Sequence, residues 1–297
     1  MTCRAVCKRP GIASHYPNHY NMGVGSLADT RYFPKGSHHV KPWYCMRCTT
    51  ILIRLGGMNG AVMSIDTKAK QDHRHIVAIG GGETSVDVMV YSLSWSRTKR
   101  PKVLLINTAT GDMPAYLAMM YSRLTQLDCV PSHLALFERT PTDLRDLILG
   151  QDVVYVGGGN TKSMLAVWRE YGLDEILKEA WEAGVVMSGS SAGGICWFEG
   201  CCTDSWADSY TALPALGMLK GSCCPHYDGE EGRQETFRKL ISDGELGDGL
   251  AIDEGVAVHY AGDELHEVVS VNERASAYDV RMKDGKVVQT KLSARRL

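Results

Sequence analysis

From residue 74 onward, short apolar runs alternate with longer amphipathic segments, and few architectures accept that rhythm. The runs fall at 75–79, 103–106, 133–136, 153–156 and 185–187, and helical spacing recurs over 84–97, 113–127, 141–149 and 161–183. Successive parallel strands need a crossover between them, so the alternation predicts βαβ units, a mostly parallel sheet and helices on both faces, a three-layer αβα sandwich. Beyond residue 200 the order loosens. A helix is expected over 229–243, a strand over 249–253, and further strands over 255–260, 265–271, 277–282 and 286–291. The last two flank Lys283-Asp284-Gly285, a favourable hairpin turn, and these late strands are expected to extend the sheet or cap an edge.

The fifth apolar run leads into Gly189-Ser190-Ser191-Ala192-Gly193. A buried strand that ends in Gly-x-Ser-x-Gly and passes into a helix presents one hydroxyl on a sharp turn above the sheet, which makes Ser191 the candidate nucleophile. The same five residues also suit an idle strand-to-helix turn, so a base, an acid and oxyanion donors are needed elsewhere.

The 297 residues carry a net charge of −2, which argues against electrostatic binding to nucleic acid or an anionic membrane surface. With no apolar stretch of membrane-spanning length and ten scattered cysteines that resemble reduced thiols, the chain is expected to be cytoplasmic. Residues 1–72 show no sustained periodicity and are expected to form an irregular extension to an α/β domain over 73–297. Met58 or Met63 as the true start is a second reading of that segment. Cys45 and Cys48 form a C-x-x-C that would suit a zinc knuckle, but no second pair stands at finger spacing. No metal and no cofactor is expected in the site.

Two more glycine-rich turns follow strands. Gly80-Gly81-Gly82 is read as a plain βα turn, and Gly157-Gly158-Gly159 as the source of a second backbone donor, so that the N–H groups of Gly159 and Ala192 would form an oxyanion hole. Neither turn is a dinucleotide fingerprint, since the third glycine is replaced by Ser85 or Lys162. Among ten histidines, His226 ends an extended segment where a loop would return over the serine, with His259 and His266 as competitors. Carboxylates are many and sequence alone does not select the orienting acid; Glu254 is attractive because it follows a buried strand, with Asp204 and Asp208 as competitors.

The set Gly157-Gly158-Gly159-Asn160-Thr161, Gly189-Ser190-Ser191-Ala192-Gly193, Pro225-His226, Arg233 and Glu254-Gly255 resembles the aspartyl dipeptidase (peptidase E) family over residues 74–260. That resemblance implies a fold like that of the class I glutamine amidotransferases, flavodoxin-like, and related to cyanophycinases. It implies Ser191 as nucleophile, His226 as general base and then acid, Glu254 as orienting acid, and Gly159 and Ala192 as oxyanion donors. It further implies a small peptide substrate, a dipeptide with N-terminal aspartate, held by Arg233 and Asn160; a homodimer is compatible with it. The competing reading of Arg233 is a helix-surface residue paired with Glu230, three positions earlier. Two rival functions stand beside this one. An esterase would order its triad as Ser191, then Asp228 or Asp253, then His259 or His266. A non-catalytic relative of the amidotransferases would only bind a metabolite or a partner.

Overall fold

The computed structural model describes residues 73–82, 85–206 and 208–297. The expected extension over 1–72, with Cys45 and Cys48, lies outside the described residues. The alternation seen in the sequence becomes five parallel strands: β1 (His75–Ile79), β2 (Lys102–Ile106), β3 (Val130–Leu134), β4 (Val153–Val156) and β5 (Val186–Ser190). They lie in the order β1-β5-β4-β2-β3. Between them run α1 (Val86–Leu93), α2 (Pro114–Leu124), α3 (Leu144–Leu149), α4 (Thr161–Tyr171) and α5 (Leu173–Glu182). The single helix expected over 161–183 is two, because Gly172 turns left-handed at φ 64° and ends α4.

Strand periodicity explains the layers. Ile76 and Ala78 of β1 share one core with Met164, Leu165 and Trp168 of α4 and Leu177 of α5, while Val77 and Ile79 point the other way, toward Val88 of α1 and Met120 and Leu124 of α2. Helices therefore cover both faces of the parallel strands.

The later elements depart from expectation. After α6 (Ala192–Ile195) come two strands that the sequence pattern did not announce, β6 (Phe198–Thr203) and β7 (Thr211–Pro214), then β8 (Leu219–Cys224) in the extended segment expected before His226, α7 (Arg233–Ser242) and β9 (Gly249–Ile252). β10 (Val256–Ala261) and β11 (Glu264–Ser270) extend the first sheet beside β1, with the short β14 (Ala294–Arg296) at its edge. β12 (Ala277–Lys283) and β13 (Lys286–Lys291) instead join a second, six-stranded sheet in the order β13-β12-β9-β8-β6-β7. Their turn is the expected one, with Asp284 and Gly285 both at positive φ. One face of this second sheet contributes Cys201, Cys223 and Ile252 to the core that holds α4 and α5, and its other face packs on Phe237 and Ile241 of α7. All six cysteines of the described residues are free and buried, and burial pushes the Cys201 thiol up to about 12.

A polar cluster braces the sheet near β10. His259 is wholly buried, with Nε2 3.1 Å from Nδ1 of His75 and Nδ1 2.7 Å from the Tyr91 hydroxyl. Tyr91 donates to Glu267 at 2.8 Å, and Arg295 of β14 donates to the same carboxylate at 2.8 Å. The ladder between β10 and β11 shifts register after His259. Burial, aided by His75 and His266, depresses the His259 pKa from 6.5 to about 2. The unfolded chain therefore takes up a proton below about pH 6.5 that the folded chain refuses, so this stabilisation is full above that pH and shrinks as pH falls, by roughly 1.4 kcal/mol per unit. Urea midpoints measured from pH 7 to pH 4 are expected to fall more gently in His259→Gln than in the parent; equal slopes would contradict a buried neutral imidazole.

Candidate active site

The site assembles where the two sheets meet. Ser191 leaves β5, His226 leaves β8, and Glu254 lies on the link between β9 in the second sheet and β10 in the first. Main-chain bonds stitch these ends together: Ser191 N–H donates to Ile79 O (3.0 Å), His226 N–H to Gly80 O (2.7 Å), Tyr227 N–H to Ile252 O (3.1 Å) and Gly255 N–H to Gly81 O (3.1 Å).

Ser191 adopts φ 55° and ψ −118°, a strained conformation for a residue with a side chain. The turn closes only because two side chains are missing. A Cβ on Gly189 would lie 2.3 Å from Gly193 O, and one on Gly193 would lie 2.2 Å from Val156 O. Ser191 Oγ stands 2.9 Å from His226 Nε2, and His226 Nδ1 stands 2.7 Å from Glu254 Oε1. The Glu254 N–H in turn donates to Asp228 at 2.8 Å. The three residues chosen from sequence are thus in hydrogen-bonding contact, in the order serine, imidazole, carboxylate.

The rival order is not assembled. Both ring nitrogens of His259 are engaged by Tyr91 and His75, and His266 lies 3.8 Å from Glu267. Asp253 is buried and accepts from Ser276 N–H and the Tyr278 hydroxyl. Burial raises its pKa against those two bonds. Asp228 serves the Glu254 backbone.

A cavity of about 410 Å³ opens over the serine, lined by Gly81, Tyr116, Arg123, Gly158, Gly159, Ser191 and His226 among others. Among the described residues, neither the Ala192 N–H, at the first position of α6, nor the Gly159 N–H donates to a protein acceptor. Of the three glycines after β4, Gly158 is the one that faces Ser191: a Cβ there would lie 3.2 Å from Ser191 Cβ, and its N–H donates to the Tyr116 hydroxyl at 3.4 Å.

Two expected substrate contacts sit elsewhere. Asn160 caps α4, with Oδ1 accepting from Ser163 N–H at 2.8 Å and Nδ2 donating to Ser205 O at 2.6 Å, so its amide is occupied at both ends. Arg233 is 2% exposed, bonded to Glu230, and absent from the cavity wall. The pairing with Glu230 weighed against a substrate role is therefore present, although the arginine is buried rather than on the surface.

Sequence reasoning missed Gly81 and the α2 residues Tyr116 and Arg123. The rule that sites gather beyond the carboxyl ends of parallel strands points to the turn after β1, which holds Gly81, but not to Arg123 in the last turn of α2. Gly81, at φ 119°, lies under the imidazole, and a Cβ there would come 2.1 Å from His226 Cε1. In Gly81→Ala the ring must move away. A crystal structure of that variant is expected to show the Ser191–His226 separation stretched beyond about 3.5 Å, outside hydrogen-bonding range; a ring left in place would contradict the close approach.

Peptidase family S51 matches residues 76–268. An uncharacterized peptidase, YgaJ of Bacillus subtilis (strain 168), is 44% identical over 229 residues, covering 75% of this chain and 99% of that protein. The crystal structure of a peptidase from an acI-B1 Actinobacterium superposes with a TM-score of 0.56 at 16% identity, over 74% of this chain and 94% of that one, and shares the fold. A putative peptidase E protein from Listeria monocytogenes EGD-e aligns at 19% identity and a TM-score of 0.49, over 74% of this chain and 99% of that one. With well over half of its length matched and a relative this similar, the chain belongs to peptidase family S51.

Proposed function

We propose that the chain is a serine peptidase that cleaves small peptides, with Ser191 as nucleophile, His226 as general base and acid, and Glu254 as the group that orients the imidazole. The observation that carries this reading is the unbroken chain from Ser191 Oγ to His226 Nε2 (2.9 Å) and from His226 Nδ1 to Glu254 Oε1 (2.7 Å) at the floor of a cavity.

The chemistry follows from those contacts. His226 Nε2 takes the Ser191 proton as Oγ attacks the scissile carbonyl, and the new oxyanion is received by the N–H groups of Ala192 and Gly159. The imidazolium then gives its proton to the departing amine, which leaves an acyl-enzyme on Ser191. Water, deprotonated by the same nitrogen, attacks the ester, and the proton returns to Oγ as the carboxylic acid is released. Glu254 accepts from Nδ1–H throughout, which fixes the tautomer and favours the charged ring.

For the substrate, the family resemblance supports a dipeptide with N-terminal aspartate and Arg233 as the cation for its side chain. A guanidinium suits that task because its fork can meet both oxygens of one carboxylate. Arg233 opens α7, seven residues beyond His226 in the chain.

Hydrolysis of Asp-Leu, followed by release of leucine, is expected to fall about a million-fold in Ser191→Ala or His226→Ala and about ten-thousandfold in Glu254→Gln. His259→Gln is expected to keep turnover within a few-fold of the parent. Retained activity in Ser191→Ala, or a collapse confined to His259→Gln, would overturn the assignment. With Asp-Leu, Ala-Leu and Lys-Leu as a panel, Arg233→Ala is expected to slow Asp-Leu most; equal losses on all three would count against Arg233 as the acid-binding group.

A further inference from the structure

The guanidinium that the substrate reading needs is already matched by a carboxylate of the chain itself. Nε of Arg233 donates to Glu230 Oε2 at 2.7 Å, and its terminal nitrogen donates to the same oxygen. The Tyr210 ring lies 4.3 Å from the guanidinium carbon, and the Tyr210 hydroxyl also donates to Glu230 Oε2, at 3.1 Å. Asp204 Oδ2 stands 3.7 Å from the same terminal nitrogen. One cation therefore faces two carboxylates. The arginine side chain is 2% exposed, whereas those of Glu230 and Asp204 are 36% and 59% exposed, so a molecule arriving from solvent meets negative charge before it meets Arg233.

Glu230 belongs to the turn between His226 and α7, next to Gly229, where an added Cβ would lie 3.0 Å from Glu254 Oε1. Burial disfavours the charged form of Glu230, but the Arg233 bond and charge outweigh it and hold the carboxyl below its ordinary range. Glu230 is thus a firmly ionised occupant of the fork.

We propose that Glu230 is a specificity-determining residue: its carboxylate fills the Arg233 fork as an internal competitor, and an acidic substrate side chain binds there only by displacing it. This rests on the peptidase reading above and on Arg233 as its acid-binding group. Exchange of one carboxylate for another on the same guanidinium gains little, and only the fraction of molecules with Glu230 swung away is competent to accept the substrate. The chain accordingly has a damped preference for N-terminal aspartate, and Glu230 sets its size.

The test compares kcat/KM for Asp-Leu and Ala-Leu in the full chain. In Glu230→Gln the ratio of Asp-Leu to Ala-Leu is expected to rise about tenfold or more, the size of a charge-assisted hydrogen bond made available, and Glu230→Ala is expected to do at least as much. Glu231→Gln removes the same charge from the next, exposed position and is expected to leave the ratio as it was. The gain is expected to vanish when Arg233→Ala is added to Glu230→Gln. An unchanged or lower ratio in both Glu230 variants, an equal rise in Glu231→Gln, or a gain that survives without Arg233 would each overturn the proposal while leaving the serine chemistry standing. A parent enzyme that cleaves none of Asp-Leu, Ala-Leu and Lys-Leu would overturn the peptidase reading itself, and this proposal with it.

Discussion

The whole site depends on a strained serine held by absent side chains. Ser191 sits at φ 55° because β5 must turn into α6 within one residue, and that turn exists only where Gly189 and Gly193 let backbone meet backbone. A methyl group at either glycine would fall little more than 2 Å from a carbonyl oxygen, a distance no packing adjustment absorbs. The strain is offset by the surroundings: the Ser191 N–H bonds to Ile79 O of β1, and all of β5 is buried between β1 and β4. The central sheet thereby fixes where the hydroxyl points.

The partners of that hydroxyl are fixed by a second constraint, the seam between the two sheets. His226 arrives from the second sheet, and Glu254 lies on the link by which the chain crosses back to the first. The Gly80–Gly82 turn lies between them: Gly80 O accepts the His226 N–H, Gly81 O accepts the Gly255 N–H, and the missing Cβ of Gly81 leaves room for the imidazole. The serine hydroxyl thus belongs to one sheet and the imidazole to the other, and a turn after β1 sets the distance between them.

How much of this could be read in the sequence depended on the range of the signal. The βαβ rhythm is local, so β1 to β5 and their helices were legible, as was the Asp284-Gly285 turn. Of the second sheet, β9, β12 and β13 were legible as strands, whereas β6 was not, because the alternation of Phe-Glu-Gly-Cys-Cys-Thr is masked by burial on both faces. Ser191, His226 and Glu254 were chosen because each follows an extended or apolar run closely and because the family resemblance ordered them, and the structure sets them in hydrogen-bonding contact. Gly81 read as an ordinary turn glycine, since its purpose is a contact with a residue far along the chain. Asn160 and Arg233 were assigned to substrate from the resemblance alone; the Glu230 pairing was weighed beside that role for Arg233, whereas the capping of α4 by Asn160 was not considered.

The central claim is that Ser191, His226 and Glu254 act as one unit, and non-additivity tests it most directly. Turnover of a dipeptide substrate would be compared among Ser191→Ala, His226→Ala and the triple variant Ser191→Ala/His226→Ala/Glu254→Gln. If the residues act as a unit, the triple variant loses about as much as either single one, since removal of one member already forfeits the contribution of the others. Losses that multiply from single to triple variant would show three independent contributions and contradict the account.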